Sequence, residues 1–191
     1  MLEERHYKTC KRYNTPGDSH FLTFSCFRRR PFLCKDRSCQ WLANALIVAR
    51  HEYDFRIIAY VFMPEHVHLL IHPNRRLYDI SDILAAVKMP VARAARKFIT
   101  ESARDFLPYM QDRQPGGKVM FRFWQRGGGY DRNIFSPEEL HEKIQYIHNN
   151  PVRRKMVSHA TDYRWSSAAD YAHIREGPLP VDNQNLPWSN A

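Results

Sequence analysis

Phe55-Arg56-Ile57-Ile58-Ala59-Tyr60-Val61-Phe62-Met63, then Pro64-Glu65, then His66-Val67-His68-Leu69-Leu70-Ile71-His72, is the stretch from which the fold can be read. Its first nine residues are a β-branched and aromatic run, the signature of a strand. Pro64 and Glu65 make a tight turn, and the seven residues after them form a second strand, so the segment is a β-hairpin. Alternate side chains of a strand share a face. His66 and His68 therefore point together toward an open face, while Val67, Leu69 and Ile71 point into a core. Two imidazoles on one face of a rigid strand are half of a metal site. His72 has the same parity but lies about 13 Å beyond His68, too far to be a co-ligand. The pattern alone is not specific. With ten histidines in 191 residues, chance supplies roughly 0.5 such pairs, most of them two half-exposed histidines without a role.

Upstream of the hairpin, His20 to Phe27 largely alternates apolar and polar residues and reads as a strand, with Arg28, Arg29 and Arg30 at its end. Asp36 or Ser38 can cap a helix that runs to about Tyr53. Downstream, Ile80 to Ser102 has helical periodicity, but Pro90 inside it predicts a kink or two shorter helices. Residues 105–118 read as a loop and Val119 to Arg126 as a fourth strand. Gly127-Gly128-Gly129 reads as a hairpin turn into a fifth strand, Tyr130 to Phe135; it lacks the Lys and Ser/Thr of a phosphate-binding loop. Strands that come as hairpins between helices imply an α+β domain with a largely antiparallel sheet. An N-terminal arm (1–19) precedes the domain (20–175). From 176 to 191 the chain is rich in Pro and Asn and reads as a flexible tail.

The best-marked helix begins after Ser136. Ser136 is its N-cap, Pro137 takes the first helical position, and Glu139 completes a capping box. It runs to about Asn150, where Pro151 is expected to end it. Residues step about 100° around a helix. Leu140, Ile144 and Ile147 form the buried stripe. Tyr146 and Asn150 sit about 40° apart on its flank, whereas His148 lies about 160° from Asn150 and faces away. A tyrosine hydroxyl and an amide oxygen can thus meet the same object. Taken alone, a rim tyrosine and a helix-ending Asn explain these residues better, since Asn near a helix end is common.

The two pieces gain meaning together. A tyrosine hydroxyl, with a pKa of about 10, is a poor nucleophile at neutral pH. A divalent ion polarises a phosphodiester and stabilises charge developing on its oxygens. His66, His68 and Asn150 offer three ligands, with Tyr146 one helical turn before Asn150.

Composition agrees. The chain carries a formal charge of +9 with a pI near 9.6, which favours a polyanionic partner, nucleic acid before membrane. No apolar run approaches a membrane span. Residues 1–11 are charged and lack an apolar export core, so a cytoplasmic location is expected. Cys10, Cys26, Cys34 and Cys39 form no C-x-x-C pair, which makes a zinc knuckle unexpected and free thiols the default. Arg75-Arg76, Arg93-Arg96-Lys97 and Arg153-Arg154-Lys155 are further phosphate-contact candidates. Trp124 and Trp165 suit the core better than base stacking.

Met63-Pro64-Glu65-His66-Val67-His68-Leu69-Leu70, Phe123-Trp124-Gln125-Arg126, Tyr146-Ile147-His148-Asn149-Asn150-Pro151-Val152 and Trp165-Ser166-Ser167, in that order, resemble the REP-associated tyrosine transposases, a branch of the HUH single-tyrosine transposases of the insertion-sequence-200 type. The resemblance spans Ser19 to Tyr171. It implies a ferredoxin-like core with an antiparallel sheet flanked by helices, and the histidine pair on a central strand. It implies Mg²⁺ or Mn²⁺ on His66, His68 and Asn150. It implies attack of Tyr146 on a DNA phosphate to give a 5′-phosphotyrosine link and a free 3′-hydroxyl, on hairpin-forming palindromes bound as single-stranded DNA. Arg28, Arg29, Arg30, Arg126, Arg153 and Arg154 are the candidate DNA contacts. Residues 105–118 depart from the family as an insertion. A monomer and a homodimer both remain open, since in dimeric relatives the tyrosine helix can serve the partner's site. Two other functions fit parts of the pattern: a DNA-binding regulator of the same fold that no longer cleaves, and a histidine-metal hydrolase that uses water and needs no Tyr146.

Overall fold

A computed structural model of the chain describes residues 13–184 and 186–188. Strands β1 (Ser19–Ser25), β2 (Phe55–Met63) and β3 (His66–Pro73) and helices α1 (Asp36–Tyr53) and α2 (Ile80–Ser102) follow one another as β-α-β-β-α. The two short strands β4 (Gln111–Arg113) and β5 (Val119–Phe121) come next, then β6 (Tyr130–Ile134), α3 (Pro137–Arg153) and α4 (Ala168–Tyr171). The main sheet has the order β2-β3-β1-β6 with every neighbour antiparallel. That is the ferredoxin-like arrangement, and the expected α+β class holds.

Both faces of this sheet are covered, which explains why β2 is apolar from Ile57 to Met63 instead of alternating. Leu22, Phe24, Ile57, Tyr60, Phe62, Val67, Leu69 and Ile71 pack with α1 and α2 in one core. Phe21, Ile58, Val61, Met63 and Leu70 face α3 in a second core with Leu140, Ile144 and Ile147. The register slips between Ile57 and Ala59, so Ile58 and Ala59 both fall in the second core. The outer edge of β2 is sealed too. Phe62 N donates to Trp165 O (2.8 Å), Tyr60 N to Ser167 Oγ (3.0 Å) and Ile57 N to Asp182 Oδ2 (2.9 Å). These bonds leave no ladder open for another chain at those positions.

Several expectations are corrected. Helix α2 is one element across Pro90. The ring is exposed while Ile83, Leu84, Val87, Val91, Ala95 and Ile99 bury one stripe, and that packing offsets the single lost intrahelical bond. Residues 105–118 are not a plain loop. Arg104–Met110 is a 3₁₀ segment, and β4 pairs with β5 in a separate two-stranded sheet. The fourth strand therefore stops at Phe121 rather than Arg126. Phe123 and Trp124 are consecutive and both buried, which an alternating strand cannot provide. Gly127 to Gly129 consequently joins two sheets and is not a hairpin turn. Gly129 (φ +77) is needed for close approach, since a Cβ there would lie 2.1 Å from Thr23 O. Neither Asp36 nor Ser38 caps α1, whose N-cap is Lys35. Asp36 instead accepts from Trp165 Nε1 and Arg164 Nη1, both at 2.7 Å.

Two further corrections bear on the site. Helix α3 does not end at Pro151 but continues to Arg153, with Arg154 as its C-cap. Proline forfeits only its own amide, so a helix held by a buried stripe can run another turn. The described part of the tail packs on the domain. Leu179 is fully buried, and Arg50 Nη2 pairs with Asp182 at 2.8 Å. Sparse apolar anchors do this despite the Pro- and Asn-rich composition. Of the arm, residues 1–12 lie outside the described residues, as does Cys10; Cys26, Cys34 and Cys39 are free thiols. Among the described residues no helix is long and apolar enough to cross a membrane.

Candidate active site

The face carrying His66 and His68 is not open. Helix α3 lies over it, and the two histidines are only 6% and 5% exposed. Their polar partners make that burial tolerable. Glu65 Oε1 accepts from His66 Nδ1 at 3.1 Å. Burial alone would raise the Glu65 carboxyl, but a hydrogen bond from Arg154 and the nearby His66 and Arg154 charges hold it below the usual carboxylate range. An ionised carboxylate only accepts, so His66 carries its proton on Nδ1 and turns the Nε2 lone pair to the site. Desolvation keeps both imidazoles neutral: it lowers His66 against the opposing pull of Glu65, and lowers His68 to about 3, aided by His66 and Arg29.

His66 Nε2 and His68 Nε2 face each other at 3.1 Å. Two bare lone pairs at that distance repel, so either His68 donates its Nε2 proton or a cation sits between them. Thr23, the cross-strand neighbour of His68, accommodates both states. Its Oγ1 lies 2.8 Å from His68 Nδ1, and a hydroxyl can either donate to that nitrogen or accept from it.

Helix α3 brings the remaining groups. The Tyr146 ring lies 5.2 Å from the His68 ring, edge to face, and 5.8 Å from Phe21, which stacks on His68. Tyr146 is 36% exposed, and among the described residues no hydrogen bond holds its hydroxyl. Arg153, two turns on, places its guanidinium carbon 5.2 Å from the Tyr146 ring centre. Asn150 is buried, and its Oδ1 has no hydrogen-bond partner among the described residues. Thr23, Ser25, Arg29, His66, His68, Tyr146, Asn150, Arg153 and Arg154 line one cavity of about 380 Å³.

The structure thus gathers His66, His68, Tyr146, Asn150, Arg29, Arg153 and Arg154. It does not bring Arg28, Arg30 or Arg126 into the cavity. Arg28 packs on Phe27, Arg30 binds Tyr109 through its carbonyl and ring, and Arg126 reaches Gln114 Oε1 at 3.4 Å. His148 faces away as expected: it is buried on Ser167 Oγ (2.9 Å) and Tyr171. His72 meets Ser19 Oγ instead (3.0 Å). Trp124 and Trp165 are core residues, their indole N–H groups on Lys88 O and Asp36.

Glu65 and Thr23 support the candidate site through His66 and His68, and sequence reasoning missed both. Glu65 was legible only as a turn residue. A carboxylate next to a His-x-His pair was the available signal, since ligand histidines usually carry such an orienting partner. Thr23 gave none, because its contact with His68 depends on strand register.

The family model described as "Transposase IS200 like" matches residues 19–150. Among curated proteins, the chain is similar to the REP-associated tyrosine transposase of Escherichia coli (strain K12). The two are 24% identical over 174 residues, covering 90% of this chain and 88% of that protein. Among solved structures, the chain is similar to a REP-associated tyrosine transposase bound to a REP hairpin, with a TM-score of 0.68, 20% identity, and coverage of 94% and 95%. That likeness speaks for the fold.

Proposed function

The chain belongs to the IS200-like transposase family, and on that premise we propose that it is a metal-dependent endonuclease and transposase of single-stranded DNA, acting at hairpin-forming, REP-like sequences through Tyr146. The observation that carries this reading is the convergence of two Nε2 atoms 3.1 Å apart and the orphaned Asn150 Oδ1 in the cavity that Tyr146 lines. The REP-hairpin substrate is taken from the two relatives.

The donor set fits a divalent cation such as Mg²⁺ or Mn²⁺. His66 Nε2, His68 Nε2 and Asn150 Oδ1 would hold it, with Glu65 and Thr23 behind the imidazoles. Such an ion supplies a Lewis acid that polarises a phosphate oxygen. The chain's own residues do the rest. Arg29 and Arg153 bind and orient the phosphate, and Glu65 steers Arg154 toward the same cavity. The Tyr146 oxygen attacks phosphorus: the O–P bond forms, the bond to the 3′ oxygen breaks, the phenolic proton passes to solvent, and the leaving oxygen takes up a proton as a 3′-hydroxyl. The Arg153 cation beside the ring favours the charge that develops on its oxygen. A hydrolase using water would have no use for a half-exposed tyrosine against a ligand histidine.

The test is incubation of the chain with hairpin-bearing single-stranded DNA and Mn²⁺, followed by a denaturing gel. A covalent adduct is expected, and Tyr146→Phe, which removes one oxygen and keeps the ring, should abolish adduct and cleavage while leaving DNA affinity within about twofold. Cleavage by the Phe variant at a comparable rate would hand the reaction to water.

A further inference from the structure

Helices α1 and α2 run antiparallel on the face of the sheet opposite α3. Trp41, early in α1, accordingly meets Phe98, late in α2, at 6.0 Å ring to ring. On the side away from the sheet, the seam between the two helices opens as a groove of about 560 Å³. It draws on Trp41 to Tyr53 of α1 and Asp82 to Ala94 of α2, a stretch of about 18 Å on each helix. Ala45, Ala49 and Ala86 make its floor, and side chains that small let another element approach closely.

The middle of the groove is apolar and unfilled. Val48 is 64% exposed and Met89 51%, and the Pro90 ring is exposed beside Met89. The charges lie at the ends. Glu52 and Asp82 stand at one end and Arg93 at the other. All three are exposed, and among the described residues none of these side chains is held in an ion pair. One or two exposed apolar side chains are ordinary on a surface. What singles out this face is its order of charge. An acidic end, an apolar middle and a basic end are complementary to the same surface turned about a two-fold axis through the middle. Val48 and Met89 would then meet their own copies, with Glu52 and Asp82 of each copy opposite Arg93 of the other. A nucleic acid strand laid along the groove would instead run its phosphates past two carboxylates, so charge disfavours it.

We infer that two copies of the chain dock back to back through this groove. Because α3 lies on the other side of the sheet, the cavities at Tyr146 stay uncovered and face outward. Each Tyr146 keeps the His68 of its own chain, 5.2 Å away ring to ring. The pair therefore presents two complete sites to two separate strands and exchanges no tyrosine helix. A face this short is at the small end of specific interfaces, so association is expected at roughly micromolar chain concentration. Docking needs neither metal nor DNA, and it stands or falls apart from the proposed chemistry.

The test follows the full chain, without DNA, by sedimentation velocity from roughly 1 to 100 μM, which brackets that affinity. A monomer–dimer equilibrium is expected. Met89→Glu sets two like charges at the axis. Glu52→Lys with Asp82→Lys makes both ends basic, and Arg93→Glu makes both acidic. Each change should weaken association roughly tenfold or more, because every contact occurs twice in a two-fold pair. The three end substitutions combined restore opposite signs and should return association to near the parent value. All these positions are exposed, and circular dichroism checks the fold. A chain that is monomeric at every concentration, a dimer indifferent to Met89→Glu, or a combined variant no better than its parts overturns the inference. Oxidised glutathione should join Met89→Cys chains to each other in a Cys34→Ser background. A link from that position to Cys10 within one chain would assign the groove to residues 1–12 and overturn it as well.

Discussion

Glu65 Oε1 receives both His66 Nδ1 and Arg154 Nη1, so one buried oxygen ties a proposed metal ligand to the cap of the tyrosine helix. Glu65→Gln keeps the shape but removes the charge that fixes the His66 tautomer. On the proposed site, titration of the DNA-free chain with Mn²⁺ should show roughly 10- to 100-fold weaker binding. Unchanged affinity would reduce Glu65 to a packing residue. Asn150→Ala should likewise weaken Mn²⁺ binding, while His148→Ala should leave it unaltered, since His148 is engaged with Ser167 on the far flank. The site groups legible in the sequence were those with local spacing: two histidines at strand period, a tyrosine and an asparagine at helical period. Thr23 was illegible because it meets His68 through a pairing 45 residues apart. That Arg29 lines the cavity at Tyr146 while Arg28 and Arg30 do not was illegible, because position in an arginine run does not say which way each side chain is aimed.

Gly129 shows how an element enforces the site. It crosses β1 beside Thr23 in a backbone conformation that L side chains rarely adopt, with no room for a Cβ. Gly129→Ala should cost about 2–4 kcal/mol from left-handed strain and overpacking, seen as a lower melting temperature. Because the clash falls on Thr23, which holds His68, Mn²⁺ affinity should fall as well; a destabilised variant with intact affinity would show that the crossing only closes the fold. Elements set by periodicity and capping were legible almost to the residue: β2, the end of α1, and the Ser136 cap, whose Oγ accepts from Glu139 N at 3.2 Å. Those that failed were set by tertiary packing. Pro90 and Pro151 sit inside helices because buried stripes outweigh one missing amide. Val119 to Arg126 divides because Phe123 and Trp124 both turn inward.

At the scale of the molecule, acid should weaken the fold through its buried histidines. Burial, with Arg56 and His20 nearby, pushes His72 from 6.5 down to about 4. The unfolded chain then binds the proton more readily between those values, so stability is full above about pH 6.5 and is lost as pH falls toward 4. His68 and His148, lowered by burial to about 3 and 4, act in the same sense. His72→Asn should flatten this loss by on the order of 2 kcal/mol, after discounting for partial exposure. Denaturant melts at pH 7 and pH 5 measure it, and a slope identical to the parent's would mean the imidazole is solvated.

Charge acts on the same scale but through the partner. The chain carries +9, and Arg29, Arg153 and Arg154 meet in one cavity. A single strand bound through its phosphates releases counterions, so log K should fall linearly with log salt by about 0.7 per phosphate contact. Four to six contacts would give a slope of about −3 to −4. The Tyr146→Phe chain allows the slope to be measured without cleavage, by anisotropy between 50 and 200 mM salt, roughly the range in which such terms dominate. Arg153→Ala should make the slope shallower by about 0.7, and by a similar amount for unrelated sequences, because a phosphate contact carries no base information. Exposed Arg113, in the β4–β5 sheet and outside that cavity, serves as the control. If Arg113→Ala changes the slope as much as Arg153→Ala, the strand is held by diffuse charge, and the cavity at Tyr146 is not where its phosphates concentrate.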